Sequence, residues 1–283
     1  MVKMLTMVKR RRDFMNKQFL IENSKVLRRH IIEMLYESKS GHPGGSLSCI
    51  DIINYLYFEK MNINPNNYDN KDRDRFVLSK GHAAPALYSV LAEKGFFNKE
   101  ELLKLRKLGA MLQGHPDSKQ IPGVDVSTGS LGQGISNSVG VSLGLKVDNR
   151  KGKVYVLLGD GELQEGLVWE AAICAAHYKL DNLVAIIDNN GLQIDGKNED
   201  VMNIYPLKEK WQSFGFNVIE CDGHDYDALD SAFKEENIVA GKPTMIICKT
   251  VKGKGVSFME NQAGWHGQAP NLEQKEKALS ELV

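Results

Sequence analysis

The two halves of the chain differ in how their apolar residues are spaced. In the first half apolar residues recur at helical spacing, which predicts helices over 14–38, 50–58, 84–94, 100–108 and 135–147. The first helix runs into a glycine-rich stretch, so we expect a loop to begin at residue 41. Clusters of Gly, Pro or Asn separate the remaining helices. The first half is therefore predicted to be rich in helix.

The second half alternates short β-branched runs with helical segments. Strands are predicted over 154–158, 183–187, 217–220 and 244–248, with a helix over 164–179 after the first of them. This alternation is typical of an α/β protein, a parallel sheet with helices on both faces. Since no long linker or repeat is visible, one domain is expected over 21–283. Residues 1–20 form a basic N-terminal arm, which is either a solvated tail or an interaction arm.

Composition narrows the classes of function. The chain has 36 Lys and Arg against 36 Asp and Glu, so no overall charge favours nucleic acid or an anionic membrane. Its four cysteines stand singly in apolar stretches, as free thiols of a reducing compartment do. No apolar run has the length of a signal peptide core or a membrane span. We expect a cytoplasmic protein that binds neither nucleic acid nor membranes.

Polar residues follow two neighbouring predicted strands. A Gly-Asp-Gly sequence centred on Asp160 follows one strand, and an Asp-Asn-Asn sequence ending at Asn190 follows the next. Ligands of parallel sheets bind at the carboxyl ends of the strands. Oxygens of Asp160, Asn190 and the Leu192 backbone would leave Mg²⁺ positions for two diphosphate oxygens and a water. Alone, the first motif is also a tight turn and the second a hairpin-like loop, but together they favour a metal and diphosphate site.

These motifs resemble a known family. Residues 159–161 through 188–190 are similar to the thiamine-diphosphate signature, and residues 159–166 are similar to its transketolase form. The resemblance implies the thiamine-diphosphate-binding fold, in its diphosphate-binding domain. The implied cofactors are thiamine diphosphate and Mg²⁺, with Ca²⁺ or Mn²⁺ as alternatives. Gly161 and Asn190 would then contact the cofactor, and Gly161 would let backbone N–H groups approach phosphate at a helix N-terminus.

Four of the seven histidines lie in glycine-flanked motifs similar to those of transketolase. By that resemblance His82 and His266 contact the diphosphate. His42, His115 and His266 line the donor-sugar pocket and assist proton transfers. A single Gly-His pair is as well explained by a turn, and His224 is such a case, to which we assign no chemistry.

Two further features carry the resemblance. Residues 129–134 look like the family loop that cradles the cofactor, with Gly129, Ser130 and Leu131 at the contacting positions. The family usually has proline where Ser130 stands. Glu165 resembles a glutamate of a proton relay that links paired active sites. It is alternatively a solvent-facing glutamate of a first helical turn, favoured by the helix dipole.

The resemblance runs from about residue 21 to the end but covers only the first half of a full-length transketolase. In the family, the missing half supplies the glutamate that activates the cofactor and most of the arginines that bind sugar phosphate. We therefore expect an N-terminal transketolase subunit that transfers a two-carbon ketol unit from a ketose phosphate to an aldose acceptor. It would act with a separate C-terminal subunit, in a two-plus-two heterotetramer.

Two alternatives stay open at this stage. One is a subunit of another thiamine-diphosphate enzyme, similar to deoxyxylulose-phosphate synthase or a 2-oxo-acid dehydrogenase. The other is a non-catalytic relative that binds the cofactor. The motifs at 41–44, 163–166 and 265–267 together favour transketolase.

Overall fold

Parallel strands form the centre of the molecule in the computed structural model, which describes residues 15–283. Their order across the sheet is β1-β2-β3-β5-β4, and every neighbouring pair is parallel. The strands are β1 (Arg75–Leu78), β2 (Val154–Gly159), β3 (Leu183–Asn189), β4 (Asn217–Asp222) and β5 (Thr244–Lys249). The four predicted strands are confirmed. Strand β1 was not predicted, because four residues are too few to show a period.

Helices cover both faces of the sheet, as predicted. In chain order they are α1 (Lys17–Ser38), α2 (Pro43–Tyr55), α3 (Ala84–Glu93), α4 (Gln133–Val147), α5 (Gly166–His177), α6 (Asn198–Val201), α7 (Leu207–Ser213), α8 (Tyr226–Ala232) and α9 (Leu272–Glu281). Helices α1, α2, α3, α8 and α9 pack on one face, and α4, α5 and α7 pack on the other.

Strand β2 shows why both faces must be covered. Its residues Tyr155 and Leu157 point into the core beneath α1 to α3, whereas Val156 and Leu158 point into the core beneath α4 and α5. All four side chains are buried. A strand with no polar face needs an apolar partner layer on each side, which is the usual state of a central parallel strand.

Two stretches of the first half differ from expectation. The loop expected from residue 41 ends early, because α2 begins at Pro43. Proline has its φ angle preset for the first helical position and needs no N–H partner there. The helix expected over 100–108 is a 3₁₀-helix, Lys99–Lys104, and Arg106 just beyond it adopts a left-handed φ of 60°.

The other helices agree with the sequence, apart from small shifts at their ends. Asn16 caps α1 by accepting a hydrogen bond from the Phe19 N–H at 3.1 Å. The helix expected over 164–179 starts as a 3₁₀ turn, Gly161–Gln164, and continues as α5.

The expected N-terminal arm reaches into the described part of the chain. Residues 1–14 lie outside the described residues, while Lys17 to Leu20 form the first turn of α1, with Leu20 fully buried. The division into an arm and one domain stays a prediction. Within residues 15–283, no helix is long and apolar enough to span a bilayer.

Candidate functional site

A cavity of about 370 Å³ lies at the carboxyl edge of the sheet, where the loops after β1, β2, β3 and β5 meet. All of the predicted site residues line it except His115 and Ser130. Those that do are His42, His82, Gly129, Leu131, Asp160, Gly161, Glu165, Asn190, Leu192 and His266. The topology thus brings together residues that lie far apart in the sequence. A neighbouring groove of about 620 Å³ shares Asn190 but contains none of these histidines.

Asp160 and Asn190 organise the loop that forms one wall of the cavity. The Asp160 carboxylate accepts hydrogen bonds from the backbone N–H groups of Gly161 at 2.8 Å and Gly191 at 2.5 Å. The Asn190 side-chain oxygen accepts one from the Leu192 N–H at 3.1 Å. Burial, and then the nearby charge of another aspartate, raises the pKa of Asp160 to about 6. The two backbone hydrogen bonds and the Lys80 charge offset these effects only in part, so the ionised carboxylate is incompletely compensated.

The donor set around Asp160 fits a divalent cation. No Lys, Arg or His of residues 15–283 lies within ion-pair distance of its carboxylate, so a metal ion would supply a direct cationic partner. One carboxylate, an amide oxygen and a backbone carbonyl are oxygen ligands of the kind Mg²⁺ prefers. Across the described residues no cluster of three His, Cys, Asp or Glu could form an all-protein metal cage. The arrangement suits a metal shared with oxygens of an anionic ligand.

Asp188 ties the strand ends together beneath the cavity. Its fully buried carboxylate accepts hydrogen bonds from Lys80 Nζ, Ser48 Oγ and Thr250 Oγ1, each at 2.5 Å. Burial alone would raise the pKa of Asp188, but the Lys80 ammonium outweighs it and holds that pKa below its usual value. Since these partners follow β1, lie in α2 and follow β5, one carboxylate fixes three elements around the site.

Three histidines form a triangle in the cavity. The ring centroids of His42, His82 and His266 are 5.1 to 5.3 Å apart. Burial, reinforced by nearby cations, lowers the pKa of His42 to about 4 and that of His266 to about 3, and lowers the pKa of His82 as well. All three imidazoles are thus neutral at pH 7, and each can donate one hydrogen bond and accept another.

Two buried lysines place positive charge in the wall of the cavity. Lys80 and Lys252 are each 2% exposed and both line it. The Lys252 ammonium lies 3.0 Å from His266 Nδ1, and burial together with the Lys80 charge lowers the pKa of Lys252 to about 8. An anion that enters the cavity would relieve this repulsion. Both lysines were missed in the sequence, although each precedes a glycine in the loop after a strand.

Comparison with known proteins identifies the family. Residues 20–281 match the family described as "Transketolase, thiamine diphosphate binding domain". The chain belongs to the transketolase family. It is 44% identical to one of the subunits of the apulose-4-phosphate transketolase of Phocaeicola vulgatus, over 90% of each chain. It is 42% identical to the 6-deoxy-6-sulfo-D-fructose transketolase subunit SqwG of a Clostridium strain, over 93% of this chain and 96% of that one.

Solved transketolase structures share the fold. The transketolase from Campylobacter jejuni superimposes with a TM-score of 0.88 at 36% identity. The match covers 95% of this chain but only 43% of the Campylobacter chain. This chain therefore spans less than half of a full-length transketolase, and the fold and family expected from the sequence are confirmed.

The loop expected to cradle the cofactor of transketolases lies partly on the cavity wall. Gly129, with a φ of 155°, and Leu131 line the cavity, whereas Ser130 is exposed outside it. The His115 ring lies next to this loop, with Cγ 3.2 Å from where a Cβ on Gly129 would lie. Of the four histidines predicted at the site, His115 is thus the one that does not line the cavity.

A buried glutamate that the sequence did not single out holds this loop in place. The Glu162 carboxylate accepts hydrogen bonds from the Gly132 N–H at 2.9 Å and the Gly159 N–H at 3.0 Å. It therefore joins the cradle loop to the end of β2. Glu165, three residues on, is exposed at the cavity rim before the first turn of α5 and makes no capping bond. Both interpretations of Glu165 are compatible with this position.

Proposed function

We propose that the chain is the N-terminal subunit of a transketolase, which transfers a two-carbon ketol unit from a ketose phosphate to an aldose acceptor. It would act with a separate C-terminal subunit, as a two-plus-two heterotetramer. The observation that carries the proposal is the match, over nine-tenths of both chains, to the transketolase subunit of Phocaeicola. A cavity that holds two buried lysines and a carboxylate without a direct ion-pair partner gives this match a chemical basis.

Different residues of the cavity would bind the metal and the diphosphate. Oxygens of Asp160, Asn190 and the Leu192 backbone would hold Mg²⁺, or Ca²⁺ or Mn²⁺ in its place. The ammonium groups of Lys80 and Lys252 favour a diphosphate beside the metal. When bound, thiamine diphosphate supplies the electron sink that the two-carbon unit needs.

The remaining wall residues would complete the cofactor site. Gly129 and Leu131 border the cavity on the cradle loop, with Ser130 between them at the surface. Gly161 lies opposite, where a Cβ would come within 3.1 Å of the Gln193 side chain. The absence of side chains at both glycines leaves room for the backbone to approach a phosphate. His82, which lines the same cavity beside Lys80, is placed to contact it.

The neutral histidines are suited to handling sugar protons. His42 Nδ1 is buried and has no hydrogen-bond partner among the described residues, so a substrate hydroxyl could occupy that position. His266 sits beside it with its Nδ1 on the Lys252 ammonium. We assign proton transfers to these two and to His115, and a relay between paired sites to Glu165.

We also propose a cytoplasmic location for the protein. Its four cysteines are free thiols, including Cys221 and Cys248, whose sulfurs lie 3.6 Å apart. Free thiols are usual in proteins of a reducing compartment.

Calorimetry tests the cofactor site directly. The chain, with and without a C-terminal transketolase subunit, is titrated with thiamine diphosphate in the presence and absence of Mg²⁺. Asp160→Ala should abolish the metal-dependent binding, because it removes the charged metal ligand. Asp69→Ala is the matched control, because Asp69 is an exposed aspartate far from Asp160 in the sequence. This variant should bind the cofactor as the wild type does. Unchanged affinity in Asp160→Ala would refute the metal assignment.

Activity of the assembled pair tests the reaction. The mixture of both subunits should convert a ketose phosphate and an aldose phosphate, and the chain alone should not. Robust turnover by the isolated chain would contradict the need for a partner. Preference for pyruvate plus an aldehyde would instead favour the deoxyxylulose-phosphate-synthase-like alternative.

A further inference from the structure

His224, to which the sequence assigned no chemistry, is bonded on both sides of its ring. Its Nδ1 lies 2.8 Å from an Asp51 carboxylate oxygen, and its Nε2 accepts the Val251 N–H at 2.9 Å. The side chain is 13% exposed. Because Nε2 accepts a hydrogen bond, the ring proton must reside on Nδ1 and be donated to Asp51. The ring is thus a neutral bridge of fixed tautomer between α2 and the segment after β5.

Asp51 also orients Arg28, whose side chain binds the same segment after β5. The Arg28 guanidinium forms a bidentate pair with Asp51, with N–O distances of 2.9 and 2.7 Å. Its Nε donates to the backbone carbonyl of Lys254 at 3.0 Å. Arg28 and Asp51 are both buried. One carboxylate therefore orients a donor to residue 254 and an acceptor for residue 251.

The segment that His224 and Arg28 hold, residues 250–254, forms part of the cavity wall. Lys252 stands between the two held residues, with its ammonium inside the cavity and against His266. Next to it, the Gly253 N–H donates to the Gly44 carbonyl at 3.0 Å, and Gly44 lies in α2 two residues after His42. A shift of this segment would displace the ammonium and two pocket histidines together.

We infer that His224, held by the Arg28–Asp51 pair, is a positioning residue that keeps Lys252 in the cofactor cavity. It touches neither cofactor nor substrate and acts through the Val251 N–H. The inference rests on the proposed function for its consequence, namely tighter binding of the cofactor's diphosphate. Its geometric part, the immobilisation of 250–254, is independent of that function.

Two substitutions separate the two bonds of the ring. In His224→Gln the side-chain oxygen can reach the position of Nε2 and accept the Val251 N–H, whereas in His224→Asn the shorter amide can serve only Asp51. His30→Gln is the matched control, because His30 is also partly buried in the fold but pairs with Glu93 on another element.

The first readout is backbone amide exchange of the full chain over 250–254, followed by mass spectrometry. A buried N–H left without an acceptor is destabilising, so His224→Asn should raise local exchange roughly five- to hundredfold. His224→Gln and His30→Gln should stay within about threefold of the wild type. Exchange raised equally throughout the core of His224→Asn would mean loss of global stability and would overturn the inference, as would Gln behaving like Asn.

The second readout is the Kd of thiamine diphosphate with Mg²⁺, measured by calorimetry. We expect His224→Asn to bind roughly tenfold more weakly and His224→Gln to retain the affinity. Local exchange that rises without any change in Kd would refute the link to the cofactor. A wild-type chain that binds no cofactor, alone or with its partner, refutes the proposed function instead, and the exchange pattern still decides the geometric part.

Discussion

Replacing Lys80 by Met removes the cation that compensates the buried Asp188 carboxylate. The two side chains are 2% and 0% exposed, and Nζ lies 2.5 Å from Oδ2. Lys80 is also bonded to the Gly45 carbonyl at 2.9 Å, but that oxygen has a second donor in the Cys49 thiol at 3.2 Å. The main consequence of Lys80→Met is therefore an unpaired buried charge.

Breaking a buried ion pair by removing one partner typically costs about 3–5 kcal/mol. Asp188 keeps hydrogen bonds from Ser48 and Thr250 at 2.5 Å, which stabilise its ionised form in part. For Lys80→Met we therefore expect a value at the lower end of this range, a loss of about 3 kcal/mol in the free energy of unfolding at pH 7. The double variant Lys80→Met/Asp188→Asn should recover much of this loss, because no charge remains to be compensated.

The loss should depend on pH in a defined direction. In the wild type the pKa of Asp188 lies below its ordinary value of 3.8, so its stabilising contribution is present above that pH and lost below it. In Lys80→Met burial acts uncompensated and raises the folded-state pKa. The ionised Asp188 carboxylate then destabilises the fold above about pH 3.8. The loss in the free energy of unfolding of Lys80→Met therefore becomes smaller as the pH falls towards that value.

Urea denaturation of the free chain at pH 5, 6 and 7, followed by circular dichroism, measures both effects. Lys208→Met is the control, because the Lys208–Glu220 pair is exposed and such pairs are worth about 0–1 kcal/mol. A loss in Lys80→Met no larger than that of the control, or one that does not grow with pH, would show that Asp188 does not depend on Lys80.

Two further predictions concern pH and packing. In the folded chain the pKa of His42 is lowered from 6.5 to about 4. As the pH drops, His42 is therefore protonated first in the unfolded chain, and the free energy of unfolding falls between about pH 6.5 and pH 4. Denaturant titrations should show a shallower fall in His42→Gln, and equal slopes would contradict the prediction. In α4, Gly134→Ala places a Cβ 2.5 Å from the Ser79 Cα and should cost about 1–3 kcal/mol of unfolding free energy. Gly144→Ala in the same helix meets nothing within 4 Å and should stabilise the free chain by up to about 1 kcal/mol, so equal effects of the two would refute the packing argument.

Local patterns were sufficient for most of the secondary structure but not for its short or irregular parts. The predicted strand over 154–158 was found because five successive buried apolar residues stand out from their polar surroundings. Strand β1 has only four residues, and its order depends on pairing with β2, which periodicity cannot show. Pro43 and the glycines after it were interpreted as a loop, since those residues disfavour helix interiors. Tertiary packing overrides this preference: a Cβ at residue 44 would lie only 2.9 Å from the Trp265 carbonyl oxygen, so the contact there requires glycine.

The sequence by itself determined which polar residues stand at the ends of β2 and β3. Asp160 and Asn190 directly follow strands that it predicts, and parallel strands bring their carboxyl ends to one edge. The positions of Lys80 and Lys252 were decided only by the tertiary structure, because they depend on the sheet order that places β1 and β5 on either side of β2 and β3. His224 is the clearest case. A Gly-His-Asp turn carries no sign of its partners, and its role arises because folding sets Asp51, 173 residues away, and Val251 on opposite sides of one ring.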